Sequence, residues 1–586
     1  VTNIGDRAFY ECTGLTNAVI GGGVTHIGSN AFYRCRGLKS VTILGSVVDI
    51  GNSAFGGCRN LAGVEIPGSV ASIGNSAFSG CTSLTNMAIP DGVVSIGDYA
   101  FSSCPGPKTL TIPDSVRNIG ERAFSSCTNL TSVSIGDSVA DIKPFTFENC
   151  NRLTNAVVGN GVRSIGSHAF TSCSLRSVTI GNGVESLGSY AFGGCSLKAV
   201  HIGNVAAWCG FEFDYADNPL YQSGCVLYLN GEPLSDLVVP DGVANIGRGA
   251  FCQYGRLKSV TIPDSVTNIG ERAFRNCTDL TSVAIGNGVK TIGVNAFDGC
   301  TNLKSVTIGN GVKNIGVGAF LECGNLTAVH IHDLAAWCAI AYAGYSIGDH
   351  PLLYAGHLYL DGREVAGALT IPDGVEGIGA YAFVGCTNLT EVAVGDGVAE
   401  IGTRAFVNCC GLRSVTLPAS VASLGAGTFK WCIGLKTLYV PAEWEGTDML
   451  ANADVPAGCK VIYGEGPEEP MTQDTPVPVA RSWLEENAAS ILAANGGDYE
   501  AAAKAKAANG LPVWQCYVAG LSTTDKEAEF KVKSIAFVDG EPVLEWSPDL
   551  DAARAYTVQG KPAMGDAWGV PNASSRFFRV LVEMPE

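Results

Sequence analysis

The chain is poor in charge, and what charge it has leans one way. Only 16% of its 586 residues are Asp, Glu, Lys or Arg, with 37 basic residues against 55 acidic ones. The formal charge of −18 works against nonspecific nucleic-acid binding, which needs clustered Lys and Arg to displace counterions. It works equally against attraction to anionic membranes. No apolar run reaches 18 residues, the length at which a transmembrane helix is read. The common signatures of chemistry are missing too. There is no nucleophile–base motif, no Gly-rich phosphate loop and no His-Glu metal motif. Acidic residues fall mainly at turn and cap positions such as Asp114, Asp264 and Asp373. No enzyme, cofactor or metal site is therefore expected.

What the chain has in quantity is repetition. Residues 260–280, VTIPDSVTNIGERAFRNCTDL, contain most of the recurring string. Its phenylalanine marks the register. Phe9, Phe32, Phe55, Phe78, Phe101, Phe124, Phe147 and Phe170 are 23 residues apart, and Phe192 follows at 22. After one interruption come Phe251, Phe274, Phe297 and Phe320; after a second come Phe383, Phe406 and Phe429, giving 16 copies. Fixed periods of this length with spaced aliphatics indicate a coil with one turn per unit.

Each unit has a physical reading. Val41 and Ile43 alternate with Ser40 and Thr42, the period of a strand with one buried face. Val266 and Ile269 begin the opposite side as a second short extended segment. Gly270 follows, and Gly holds this place in 15 of 16 copies, Lys143 being the exception. The glycine implies either a positive φ or a close backbone approach, and Lys143-Pro144 implies a locally altered turn. Ala273, Phe274 and Cys277 then return to the core through a short helical or 3₁₀ turn. Turns stacked at strand spacing, roughly 4.8 Å, give a solenoid on the order of 80 Å long.

The 22 cysteines follow the same register: Cys lies three residues after Phe in 15 of 16 copies. A periodic Cys on the core face is a small buried hydrophobe, inert because burial raises its pKa. Rung spacing does not itself forbid a disulfide. One Cys per 23 residues is not a zinc spacing, which clusters its ligands.

The string Val-x-x-Ile-Gly-x-x-Ala-Phe-x-x-Cys-x-x-Leu-x-x-Val-x-Ile, as at Val289 to Ile308, resembles the BspA-like leucine-rich repeats of bacterial surface proteins. The resemblance spans residues 1 to about 440. It implies a secreted or cell-surface protein, adhesin-like, with an extracellular protein or glycan as ligand. The chain opens inside a repeat, at Val1-Thr-Asn-Ile-Gly5. Solenoid ends carry polar caps, so a longer precursor is expected.

The two interruptions are related to each other. They run from His201 to Pro240 and from His330 to Pro372. Both open with His-Ile, then Ala-Ala-Trp-Cys; both hold a Pro-Leu pair; both end in Leu-Tyr-Leu-Asn/Asp-Gly, the signal of a two-residue hairpin. A short helix around each Trp, a loop and a hairpin are predicted. Asp214, Tyr215, Tyr221, Tyr342 and Tyr345 are the candidate ligand contacts, since insertions map to exposed loops on one side of a solenoid. The competing reading is that Trp208, Trp337 and the tyrosines plug a widened turn. His201 and His330 recur without a second ligand and read as structural. The outward strand positions, such as Ser259/Thr261 and Ser305/Thr307, form a face of small hydroxyls. It is either a solvated β face or a broad contact surface.

Beyond the solenoid the composition changes. Residues 441–466 read as a terminal cap, and 464–480 as a linker rich in Pro and acid. Residues 481–520 read as a helical connector, with Ser482 to Glu485 at capping-box spacing. Val513 to Leu521 resembles the segment that follows thrombospondin-type-3-like calcium repeats, but Cys516 and Leu521 depart from it and no Asp-x-Asp-x-Asp-Gly run precedes. Calcium is therefore not expected. Residues 521–586 read as a small β-sandwich-like module. The expected architecture is an α/β-type leucine-rich-repeat solenoid over 1–463, of short strands and short helical turns, with enlarged units at 201–240 and 330–372. A helical segment and a small all-β module follow it.

Overall fold

The computed structural model describes residues 1–214, 217–221, 224–342 and 350–464, and four strands beyond them. The chain divides into two compact units, Val1–Gly464 and Glu465–Glu586, each taken here by itself.

The first unit is a β-solenoid. Each turn places one long and one short strand in two separate parallel sheets. Ser259–Ile262 lies beside Ser282–Ile285, which lies beside Ser305–Thr307. On the other side Asn268–Ile269 lies beside Thr291–Ile292 and then Asn314–Ile315. Partners are one repeat apart, so the sequence period is the sheet register. Along Ser40–Ile43 exposed and buried residues alternate, the expected pleat. Val266, Ile269, Ala273, Phe274, Cys277 and Leu280 are fully buried.

The third side of each turn differs from expectation. It is not helical. Ala273, Arg275 and Cys277 donate their N–H groups three residues back, to Gly270, Arg272 and Phe274. The interleaved N–H groups of Arg272, Phe274 and Asn276 donate instead to Val294, Ala296 and Asp298 of the next turn. The arrangement is a chain of overlapping turns with its own inter-rung ladder. Arg272 and Asn276 sit at φ 56°, and that left-handed residue at every second turn is what prevents a helix from propagating. Every N–H from 272 to 277 still finds a carbonyl, as buried backbone must.

The repeating glycine has no positive φ. A Cβ on Gly270 would lie 2.7 Å from the Arg248 amide nitrogen of the preceding turn. Close approach is therefore the reason for glycine, and the positive-φ alternative falls. At the Lys143 exception the turn is altered as expected: the Arg122 N–H reaches Pro144 O at 3.3 Å, against 2.8 Å for Tyr99 to Glu121 O one rung earlier.

Two ladders run through the core. Phenylalanine rings stack from Phe9 to Phe192, with centroids 4.9–5.6 Å apart. Beside them each thiol donates to the carbonyl of the phenylalanine one turn back, as Cys58 to Phe32 O at 3.0 Å and Cys104 to Phe78 O at 3.0 Å. All described cysteines are free thiols, and burial pushes Cys58 and Cys323 up to about 12. Thiol-reactive dye is expected to label Cys12, Cys410 and Cys459 among the described cysteines of the native chain, these being the ones not buried. The others should react only in denaturant and without reductant. Mostly blocked thiols in denaturant would contradict the free ladder.

The enlarged units fold as their shared sequence predicts. Helix α1 (Val205–Gly210) is capped by Asn204, and helix α2 (Leu334–Cys338) by Asp333. A third short helix, α3 (Pro351–Ala355), is capped by His350. Hairpins close both units, Val226–Leu229 with Glu232–Pro233 and Leu358–Leu360 with Arg363–Glu364. Each insertion stops a sheet, and a new one starts after it at Asp236–Val238 and at Gly367–Ile371.

Both tryptophans are fully buried and act as substitute rungs. In regular turns the Phe N–H donates to the Ala carbonyl of the next turn, as Phe274 to Ala296. Ala250 and Ala382 follow the insertions and lack that partner. The Trp208 indole N–H donates to Ala250 O at 3.0 Å, and Trp337 to Ala382 O at 2.8 Å. Cys209 O and Cys338 O likewise accept from Gly247 and Gly379, the role that an Ile carbonyl plays elsewhere.

In the second unit two antiparallel hairpins are described, Lys531–Val538 with Glu541–Ser547 and Ala555–Lys561 with Phe577–Glu583. They fall where strands were read. The sandwich packing, the 464–480 linker and the 481–520 helices lie outside the described residues.

A candidate binding site in the enlarged units

The insertions leave grooves because they break the short-strand sheet. In the first, Ser186–Leu187 ends one sheet and Asn245–Ile246 starts another. A groove of about 710 Å³ runs beside α1, between Ala206 and Gly210 on one side and Val243 to Arg248 on the other. In the second, an equivalent groove of about 1010 Å³ runs beside α2, toward Gly374 to Gly379. Both are shallow and open.

A smaller cavity of about 250 Å³ lies at the end of the first insertion, and it is chemically distinct. Leu187, Ala191, Phe192 and Phe213 supply apolar wall; Glu212, Asp214, Asp217 and Arg248 supply charge. The loop is set by backbone bonds. Phe213 N–H donates to Arg248 O at 2.8 Å, and Asp217 N–H to Asp214 O at 2.9 Å. Asn218 donates its side-chain amide to Gly249 O. Arg248 pairs with Asp214, which ties the loop to the next regular turn.

Asp217 is the unusual member. It is only 8% exposed, and its Oδ1 has no hydrogen-bond partner. Burial holds its carboxyl above the ordinary 3.8, with Asp214 pushing the same way and the Tyr190 amide, His168 and Arg248 opposing. A raised folded pKa means that the group's contribution is present below pH 3.8 and lost as pH rises through the folded value. Asp217→Asn is therefore expected to stabilise the solenoid at pH 7 by on the order of 1 kcal/mol. The advantage should vanish at pH 3 in paired urea titrations.

Three of the five expected contact residues are described, and they part company. Asp214 is exposed at the cavity edge and paired with Arg248. Tyr221 is 37% exposed on the one-turn helix Pro219–Tyr221. Tyr342 turns inward, edge-on to Trp337 at 6.4 Å and against His350 at 4.1 Å. Its hydroxyl is buried with no partner, while the residue as a whole is half-buried and lines the second groove. Tyr215 and Tyr345 lie outside the described residues. Asp217, Glu212 and Arg248 were not anticipated. Arg248 carried a signal: other turns hold Asp, Glu, Asn, Ser, Thr, Ala, Val or Pro three residues before Phe, and Arg stands there once.

Histidines 201 and 330 stack on Tyr228 and Tyr359, at 4.6 Å and 4.9 Å. They continue the outward strand positions of Thr179 and Thr307, consistent with a structural role. A second, half-exposed stack runs along the left-handed turn position. Phe145, His168 and Tyr190 lie face to face at 4.9 Å and 5.3 Å. Arg122 covers Phe145 at 4.1 Å and donates to the Tyr99 hydroxyl. Among the described residues no group of three or more His, Cys, Asp or Glu is placed to hold a metal, and no helix is long and apolar enough to cross a membrane.

The repeat profile described as "BspA type Leucine rich repeat region (6 copies)" matches residues 2–105, 72–198, 227–340 and 366–453, more than half of the chain. The chain belongs to the BspA-type leucine-rich repeat family. The gaps between the matched segments, 199–226 and 341–365, fall in the two enlarged units; the first holds helix α1 and the Asp217 loop, whereas helix α2 lies within a matched segment. Solved structures similar to this BspA-type chain include several bacterial leucine-rich repeat proteins. A leucine-rich repeat protein of Bacteroides ovatus is 24% identical, with 77% of this chain and 92% of that one covered and a TM-score of 0.31. A leucine rich cell surface protein of Faecalibacterium prausnitzii is 25% identical, with coverages of 71% and 82% and a TM-score of 0.23. The pneumococcal vaccine antigen PcpA is 16% identical, with coverages of 77% and 90% and a TM-score of 0.25. A search of curated proteins finds no match.

Proposed function

We propose that this BspA-type chain is a non-enzymatic, adhesin-like binding scaffold, secreted or held at a bacterial cell surface, whose ligand is an extracellular protein or glycan. The carrying observation is the division of labour along the solenoid. Regular turns spend nearly all their distinctive residues on core and backbone contacts. The two insertions, by contrast, carry the grooves beside α1 and α2 and, among the described residues, three of the five buried polar atoms without partners, Asp217 Oδ1, Tyr342 Oη and His350 Nε2; the other two, on Ser115 and Arg272, lie in regular turns. Asp214, Tyr215, Tyr221, Tyr342 and Tyr345 remain the proposed contacts. The family likeness supports a surface location.

The insertions can be removed without disturbing the register. Deleting 203–239 joins Ile202 to Pro240 and recreates the Ile-Pro-Asp-Gly-Val string of Ile371 to Val375. It also restores the 12-residue step from Ile to Phe seen between Ile285 and Phe297. Deleting 332–371 does the same at Ile331. Wild type is expected to bind at least one target on an extracellular-matrix panel or a glycan array, and the double deletion to lose at least tenfold in affinity. Unchanged binding would move the site to the hydroxyl face. No binding at all would favour a structural envelope spacer, or a recognition arm joined to catalysis elsewhere.

A further inference from the structure

We infer that the Asp217 cavity is a receptor for a primary ammonium on an unbranched stem, as a lysine side chain of a protein ligand supplies. This rests on the binding-scaffold reading and narrows it to one contact.

The argument begins with the orphaned oxygen. Asp217 is more than nine-tenths buried, lines the cavity, and leaves Oδ1 without a donor. Buried carboxylates in folded proteins are paired or hydrogen-bonded, so an unpaired one in a cavity wall is a place where a donor belongs, reached by a small rotation of the Asp217 carboxyl because Oδ1 itself is closed to solvent. Among the described residues nothing supplies it, because the cation that lines the cavity there, Arg248, is already paired with Asp214. Glu212 stands exposed among the same lining residues. Three carboxylates and one guanidinium leave the cavity negative.

Shape and stoichiometry select among donors. A hard metal ion needs about six to eight oxygens, and no described cluster offers even three suitable ligands. A guanidinium asks for two acceptors in a fork, whereas a single carboxylate oxygen is free here. A sugar hydroxyl is a neutral donor and gains roughly half as much from a desolvated carboxylate as a charged one does. An ammonium is a compact point donor. Its methylene stem suits walls of Leu187, Ala191, Phe192 and Phe213, since lysine stems lie readily along apolar surface. At about 250 Å³ the cavity falls below the roughly 300–1,000 Å³ of small-molecule sites. It suits one side chain anchored from a larger partner. The neighbouring Tyr190 and His168 rings and the cation over Phe145 are the residue types that interfaces favour.

The test uses the full chain and saturation-transfer NMR. The probes are n-butylammonium, N-acetyl-lysine methylamide, its ε-acetylated form, methyl glucoside, and calcium by competition. Butylammonium and the free-amine lysine amide are expected to bind, and the ε-acetylated form and the glucoside not to. Asp217→Asn should weaken amine binding at least tenfold. Ser189→Trp, which fills the cavity edge from an exposed position, should do the same while both variants keep the wild-type unfolding midpoint or exceed it. Equal amine binding by Asp217→Asn, binding of the glucoside in place of the amines, or displacement by calcium at equal concentration would each overturn the inference. A macromolecular target found on the panel that binds Asp217→Asn normally would overturn it too, while leaving the scaffold reading intact.

Discussion

Replacing Trp208 by alanine is expected to uncouple the solenoid at the first insertion and to lower its stability by roughly 3–5 kcal/mol, the cost of deleting a fully buried large aromatic. The second enlarged unit should respond alike through Trp337, because both side chains do the same two things. Each fills the widened turn: Trp208 is 0% and Trp337 1% exposed. Each also supplies the donor that a missing turn would have supplied, to Ala250 O and to Ala382 O. The two roles separate by substitution. Trp208→Phe keeps most of the apolar volume but leaves the Ala250 carbonyl without its indole donor, a loss of about 1–3 kcal/mol. Trp208→Ala loses both. Because repeat stacks are stabilised by nearest-neighbour interfaces, the damage should appear as a break in cooperativity. Urea unfolding of Trp208→Ala is expected to split into two transitions, one for the turns before the insertion and one for those after it. A single transition with an unchanged midpoint would mean that the tryptophan is not a rung.

This distribution of work explains which parts of the chain could be read in advance. Positions that repeat are constrained by the same neighbours every turn, so their period betrays their burial. Phe274, Cys277, Val266 and Ile269 were legible for that reason, and all four are fully buried. So was the relation between the insertions, since each ends in the same hairpin signal. The fine structure of the third side was less legible. The two left-handed positions, such as Arg272 and Asn276, four residues apart and on either side of Phe274, are filled in other turns by residues such as Ser, Tyr, Gly or Trp. Inter-rung hydrogen bonds, rather than residue type, enforce that backbone, so propensity carried no trace of it. Asp217 was illegible for a different reason. It occurs once, in a loop, and its character comes from what fails to meet its oxygen. Tyr342 shows what a loop aromatic conceals in sequence: its ring packs against Trp337 and His350 while it also lines the second groove.

His350 gives the second large effect, an acid sensitivity centred on the second insertion. Its Nδ1 accepts from the Leu352 N–H and caps α3, so the proton of the neutral ring sits on Nε2. That atom is buried without a partner, and Trp337 and Tyr342 press on the ring. Burial lowers its pKa from 6.5 to about 3. The sign follows directly. The folded pKa is depressed, so the contribution is complete above pH 6.5 and is lost as pH falls toward the folded value. Between those limits the unfolded chain binds a proton that the folded chain refuses, at about 1.4 kcal/mol per pH unit. By pH 4 the loss is on the order of 3 kcal/mol. His350→Asn is the informative comparison, because asparagine keeps a helix-capping acceptor but does not titrate. Carboxylates elsewhere, such as Glu364 held low by His357 and Asn388, add the same background slope to both proteins. The difference between them should therefore isolate the imidazole. Between pH 7 and 4 the wild type is expected to lose stability faster than His350→Asn, with proteolysis first cutting around α2 and α3. Parallel pH profiles would show that the ring has access to water or to a proton acceptor and is not held neutral by its packing.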